Sequence, residues 1–260
     1  MKRNLHFLSK TTLAKIGMAT VFSLCACATS HAAVISSGLV AEYTFDSGNA
    51  NNTGPLGTDG ADVGSPVYSM VAGRQALTVS DGNYVQVAAD PDVYSGNEAR
   101  TVAMWLNVGA FTDNTSPFRS GITGTAGDDF SIELETDGQW TLNRWGGDIE
   151  ENAAGPVGEW HHIALTFDGV DQFTSYIDGV VSKTVTSTFN TPEGILRFGG
   201  PRIGKPSEAG DADLSVDDIL IYNRALSASE VQMIVAIPEL STSMLALIAT
   251  SLVLLLRRRR

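Results

Sequence analysis

The amino-acid sequence predicts an all-β fold, a sandwich or barrel of short strands. Three observations carry that prediction. Apolar and polar side chains alternate over short runs, the period-2 signature of a half-buried strand. Asp-Gly and Gly-Asn pairs punctuate these runs at roughly 8–12 residue spacing, where residues tolerant of positive φ make tight turns. Within residues 34–237 only one segment, near the end, has helical patterning, and a separate hydrophobic helix is expected at the C-terminus.

Along the chain, Leu39, Ala41, Tyr43 and Phe45 alternate with Val40, Glu42 and Thr44, giving a first strand over 38–46. Residues 47–64 are rich in Gly, Asn and Asp and read as loop. Strands follow at 76–79 and 84–87, joined by Ser80-Asp81-Gly82-Asn83. In 101–108, Val102, Met104 and Leu106 lie on one side and Ala103 and Trp105 on the other; apolar on both faces, this strand is expected at a sheet centre and covered twice. The run 130–135 alternates and turns through Thr136-Asp137-Gly138 into 139–145. A hairpin of 160–167 and 172–177 closes around Asp168-Gly169, and Asp178-Gly179 turns it into 180–185. Strands at 196–198 and 214–222 end the set. The single helix is expected over 228–234, because Ser227 and Glu230 form a Ser-x-x-Glu capping box before it. No internal repeat or composition break divides this region, so it is read as one domain.

Both ends carry a different chemistry. Lys2, Arg3, Lys10 and Lys15 precede an apolar run from Ile16 to Ala28 and small residues at Ser30, Ala32 and Ala33. These are the parts of a secretory signal peptide, with cleavage expected after Ala32 or Ala33 and the alternatives of a lipobox at Leu24-Cys25-Ala26-Cys27 or a buried helix. At the other end, residues 244–256 are almost wholly apolar and Arg257–Arg260 follow. The segment is slightly short for a bilayer span, but snorkelling flanks and a thinned bilayer accommodate such helices, and the arginines would stay cytoplasmic. The expected divisions are 1–33 signal peptide, 34–235 folded domain and 236–260 C-terminal sorting or anchoring segment. The expected location is the envelope surface or outside, with transient anchoring by the tail.

Cys25 and Cys27 both fall in the signal, so the processed chain forms no disulfide and stands on its core, or on a core plus metal. Residues 34–237 hold 28 acidic against 9 basic residues, a balance of −19. That excludes a nucleic-acid partner, which needs a basic footprint, and argues against anionic polymers.

The blocks GLVAEYTFD (38–46), GRQALTVSDGNYVQV (73–87), GEWHHIALTFDG (158–169), YIDGV (176–180) and DDILIYNRALSASEV (217–231) resemble, in order, the laminin-G-like jelly-roll family of the concanavalin A-like lectin/glucanase fold. The resemblance implies a two-sheet antiparallel jelly-roll sandwich whose first and last strands lie side by side. It implies little about ligand, because such sandwiches host many functions. The tail resembles a PEP-CTERM sorting signal: Pro238, Glu239 and Leu240 stand at the motif, an apolar segment follows, and arginines close it, with Leu240 departing from the usual third-position Pro. That implies processing by an exosortase-type membrane protease.

The candidate site residues follow from side-chain chemistry. Asp46 and Asn49, in the oxygen-rich loop 46–52, together with Asp217 or Asp218 from the last strand, are the expected ligands of a structural Ca²⁺, which takes six to eight oxygens. Adjacent on a strand, Asp217 and Asp218 point oppositely, so one of them is the ligand. Arg144 and Trp145 offer a polar-aromatic rim for a glycan, whereas Trp105 and Trp160 read as core. His161 and His162 face opposite sides and cannot share an ion, so their strand reads as structural. Glu133 and Glu135 share a strand face at a separation compatible with an inverting glycosidase, but SIELETDG lacks the Glu-x-Asp-x-x-Glu motif of the fold's glucanases and reads as a solvated face. The expected function is therefore a lectin-like protein that binds carbohydrate or extracellular matrix without catalysing. The alternatives are a structural component of the matrix with no saccharide site and, behind it, a glycoside hydrolase.

Overall fold

The computed structural model describes residues 35–55, 58–79, 82–88, 95–110, 115–121, 124–135, 139–144, 146, 149–151, 157–192, 194–200 and 213–236, all within the compact unit Ala32–Pro238. In chain order the strands are β1 (Leu39–Tyr43), β2 (Gly60–Val63), β3 (Val67–Val71), β4 (Arg74–Val79) and β5 (Tyr84–Val87). Next come β6 (Arg100–Ala110), β7 (Thr115–Ser120), β8 (Ser131–Leu134), β9 (Trp140–Asn143) and β10 (Ile149–Glu151). The set closes with β11 (Trp160–Phe167), β12 (Gln172–Ile177), β13 (Val180–Thr186), β14 (Leu196–Phe198), β15 (Asp213–Tyr222) and helix α1 (Ala228–Val235). They build two antiparallel sheets in a jelly-roll sandwich. One runs β13-β12-β11-β6-β15-β4-β3 with β1 also on β15, eight strands in all; the other runs β10-β9-β8-β7-β14-β5-β2.

The core lies between the sheets and is made by the predicted alternation. Val102, Met104, Leu106 and Val108 of β6 point into it, as do Ile163, Leu165 and Phe167 of β11 and Ile132 and Leu134 of β8. The β6 strand is central, between β11 and β15, and its other face is covered where Ala103 joins a second cluster with Ala164, Leu220, Tyr222, Val231 and Ile234. Helix α1 belongs to that cluster. The capping box forms as expected: Ser227 accepts from the Glu230 N–H, and the Glu230 carboxylate accepts from the Ser227 N–H. Glu230 also accepts from both Arg224 Nη atoms, and that hydrogen-bonded pair holds its carboxyl down at about 2.

Two sequence expectations need correction here. The segment 47–64 is not all loop, because Gly60–Val63 forms β2, an edge strand whose Gly-Ala-Asp-Val sequence offers no apolar alternation to read. Nor does β15 alternate throughout. Asp217 pairs with Trp105 and Leu220 with Ala103, so Asp218 and Ile219 together oppose Met104 in a β-bulge, with Asp218 at φ +46°. The bulge resets the phase: Leu214 and Val216 point into the core before it, and Ile219 and Ile221 after it. It also marks the place where β4 gives way to β1 along the same side of β15, since Val216 pairs with Leu77 and Ile219 with Tyr43.

Among the described residues no helix is long and apolar enough to cross a membrane. The signal segment and the tail with Pro238, Glu239 and Leu240 lie outside the described residues.

Candidate functional site

The outer face of the seven-stranded sheet, turned away from the core, is polar from strand to strand. Val85, Val87, Phe118, Ile132, Leu134, Leu142, Leu196 and Phe198 point inward. The intervening positions Tyr84, Gln86, Arg119, Glu133, Asn143 and Arg197 therefore point outward. Register brings them into a row. Arg197 stands opposite Gln86 on one side and opposite Arg119 on the other, and Ser131 stands opposite Asn143. Two arginines directly across strands repel unless something compensates. Glu133 supplies the charge: Arg119 Nη1 donates to its Oε1 at 2.8 Å, and Asn143 Nδ2 donates to its Oε2 at 2.5 Å. Arg197 lies over the Tyr84 ring at 5.0 Å, and its Nε donates to Gln86 Oε1 at 3.2 Å.

These residues divide by depth. Arg119 is 1 % exposed and Glu133 2 %, so the expectation of a solvated face at Glu133 is wrong. Its ion partner is 14 residues away on β7, where no local pattern announces it. Tyr84, Gln86 and Arg197 are half-buried and reachable. A planar guanidinium, a carboxamide and a phenol ring side by side are the groups that a sugar's hydroxyls and C–H face require.

The residues expected to share a Ca²⁺ are not brought together around one point. Arg74 Nη1 reaches Asp217 Oδ2 at 2.7 Å and Asp218 Oδ2 at 3.2 Å, so the bulge turns both carboxylates toward one guanidinium although strict alternation would separate them. In the 46–52 loop, Asn49 Oδ1 accepts from the Asn51 N–H, and Asn52 Oδ1 accepts from Glu42 and Gly54. Asp46 is exposed just beyond β1. Among the described residues no three His, Cys, Asp or Glu side chains are grouped to hold a metal ion. As arranged, the donor set does not fit a Ca²⁺ shared between the loop and β15, because a cation already occupies the β15 carboxylates.

Arg144 follows β9; its Nη2 donates to the Thr188 carbonyl and its own carbonyl accepts from the Gly127 N–H, which ties it to neighbouring loops. Trp145 lies outside the described residues. Trp105 and Trp160 are not core: both are half-buried on the outer face of the eight-stranded sheet, with the Arg74 guanidinium 4.2 Å and 5.8 Å from their rings.

The family comparison agrees with this architecture. Residues 79–232 match the laminin-G family model described as the concanavalin A-like lectin/glucanases superfamily. The chain belongs to that superfamily. Among curated proteins, none matches it. Solved structures of similar fold include domain 4 of a GH43 extracellular arabinanase from Geobacillus stearothermophilus, in complex with arabinotriose: 18 % identical, covering 76 % of this chain and 98 % of that one, TM-score 0.58. Trypanosoma rangeli sialidase is 18 % identical over 76 % of this chain and 32 % of its own, TM-score 0.60. A structure of botulinum neurotoxin type C, whose cell entry is dependent upon interaction with two ganglioside molecules, is 13 % identical over 77 % and 51 %, TM-score 0.60. This superfamily member thus spans about a third of the sialidase chain and half of the toxin chain. The expectation of a protein that does not catalyse is corrected by these neighbours, two of which come from enzymes, an arabinanase and a sialidase. At such identities the likeness shows the fold alone, and no activity is carried over from it.

Proposed function

We propose that this superfamily member is an exported, cell-surface lectin-like protein that binds carbohydrate, including extracellular polysaccharide, on the outer face of its seven-stranded sheet. The observation that carries the reading is the row of Tyr84, Gln86, Arg197, Arg119, Glu133 and Asn143, in which a buried ion pair fixes the floor and a Tyr-stacked arginine is left half-exposed. The carbohydrate-associated structural neighbours support it. Arg144, which follows Asn143 in sequence, is proposed as a further contact, and Trp145 is kept beside it on its sequence chemistry alone. Glycan-array binding by the full-length protein tests the proposal. Tyr84→Ala and Arg197→Ala, both at half-buried positions, are expected to weaken the strongest signal about tenfold, the effect of losing roughly 1.4 kcal/mol. Unchanged binding by both variants would move the site elsewhere.

Export and tail processing complete the proposal. The basic-apolar-small start directs secretion, and the Pro238-Glu239-Leu240 motif marks the tail for an exosortase-type protease. Mass spectrometry of the protein recovered from cells with and without that protease is expected to show loss of the apolar tail only when the protease is present. An intact C-terminal mass in both strains would make the segment a plain anchor.

Calcium has a narrower place than a site shared between the 46–52 loop and β15. With Asp217 and Asp218 on Arg74, the ion would rest on Asp46, Asn49 and loop carbonyls alone. A thermal melt with excess Ca²⁺ and then EDTA decides it, since a site held at a hundred times its dissociation constant adds about 2.7 kcal/mol. Coincident curves would remove the metal from the reading.

A further inference from the structure

On the outer face of the eight-stranded sheet, opposite the row just described, Trp160 stands across from Asn107 and His162 across from Trp105, a square of two indoles, an amide and an imidazole on β11 and β6. Asn107 and His162 are buried, at 6 % and 1 % exposure. Among the described residues, neither Asn107 Nδ2 nor either ring nitrogen of His162 has a hydrogen-bond partner. Three such atoms in one small patch are unusual, because buried polar groups in native proteins are nearly always satisfied. The Trp105 ring meets the His162 ring edge-on at 5.3 Å, and both tryptophans keep a half-buried surface. The Arg74 guanidinium lies above, held by Asp217 and Asp218.

We propose that the Trp105–Asn107–Trp160–His162 square is a second ligand site, built for a neutral saccharide and covered by the Arg74 side chain. The indoles present C–H-binding faces, the amide supplies a donor, and the imidazole supplies one donor and one acceptor for vicinal hydroxyls. Neutrality follows from charge. The two carboxylates at the site are already engaged by Arg74, and a domain with a balance of −19 repels anions. Entry requires Arg74 to move off the indoles, since the three polar atoms lie beneath the surface. This site stands apart from the seven-stranded face and does not depend on it.

Isothermal calorimetry of the full-length protein with arabinotriose, xylotriose and maltotriose tests the site. At least one trisaccharide is expected to bind. His162→Leu and Trp160→Ala should each weaken that binding about tenfold, whereas His162→Gln, which keeps a donor and an acceptor, should stay within about threefold of wild type. Asn107→Leu serves as a further variant should one of these fail to fold by near-UV circular dichroism. In a Tyr84→Ala background the loss of binding caused by His162→Leu should be the same as in the wild-type protein, because the two faces are separate. No heat with any of the three sugars, or titrations of His162→Leu and Asn107→Leu that superimpose on wild type, would overturn the assignment. Loss of the heat in Tyr84→Ala alone would also overturn it and leave the seven-stranded face as the site.

Discussion

Arg119→Ala is expected to lower the melting temperature by roughly 10 °C, a larger effect than any surface substitution in this domain. The reasoning is electrostatic. Arg119 and Glu133 are almost completely buried and 2.8 Å apart, and removing the guanidinium leaves a carboxylate in a water-poor setting with only Asn143 still donating to it among the bonds described above. Breaking such a pair from one side costs about 3–5 kcal/mol, although the pair as a whole contributes little against a well-packed apolar replacement. In a domain of this size each kcal/mol moves the midpoint by about 2–4 °C. The double variant Arg119→Met with Glu133→Leu should recover most of the loss, short of about 1 kcal/mol for the Asn143–Glu133 hydrogen bond it removes. A single variant melting within about 2 °C of wild type would show that the pair is not buried in solution.

Acid should destabilise the domain through His162. Burial pushes this imidazole down to about 4; the Asp178 carboxylate pulls it the other way, and Arg74 adds to the lowering. The unfolded chain takes up this proton near the ordinary value of about 6.5, so between those two pH values it binds more protons than the folded chain. Stability is therefore full above about pH 6.5 and falls as the pH drops toward 4, levelling off below that. The loss is about 3 kcal/mol, at 1.36 kcal/mol per unit of displacement. Carboxylates released from their partners add their own acid sensitivity, so the difference between wild type and His162→Leu isolates the histidine. Denaturant midpoints measured at pH steps should fall further for wild type than for His162→Leu between about pH 6.5 and 4, and parallel curves would refute the account.

The architecture was legible because it rests on local signals. Turn pairs at Asp168-Gly169 and Asp178-Gly179 and the capping box at Ser227 and Glu230 each act within a few residues, and all three appear where the sequence puts them. The candidate sites were far less legible, because they are made across strands. Glu133 looks like a surface acid until β7 delivers Arg119 beside it. Trp105 and Trp160 look like core because large aromatics usually are, and their strand does not say which sheet face is covered. Asp217 and Asp218 were assigned to opposite faces by alternation, and the bulge at Asp218 breaks that rule at the one place where it mattered. Strands β2 and β7 escaped for compositional reasons: GADV has no apolar period, and TSPFRS carries a proline that normally argues against a strand.

The pairing of β1 with β15 has a mechanical consequence. Leu39 opens β1 and faces Tyr222, the last residue of β15, so the stretch entering β1 and the stretch leaving β15 toward α1 meet at the same end of one ladder. A pull between them peels the ladder one hydrogen-bonded pair at a time, whereas strands drawn lengthwise past each other would load every bond together. Resistance is then concentrated at the fork, where the Asn223 N–H meets the Gly38 carbonyl and Arg224 Nε grips the Ser37 carbonyl while its Nη atoms hold Glu230. Arg224 is the rivet of that zip, tying the stretch before β1 to helix α1.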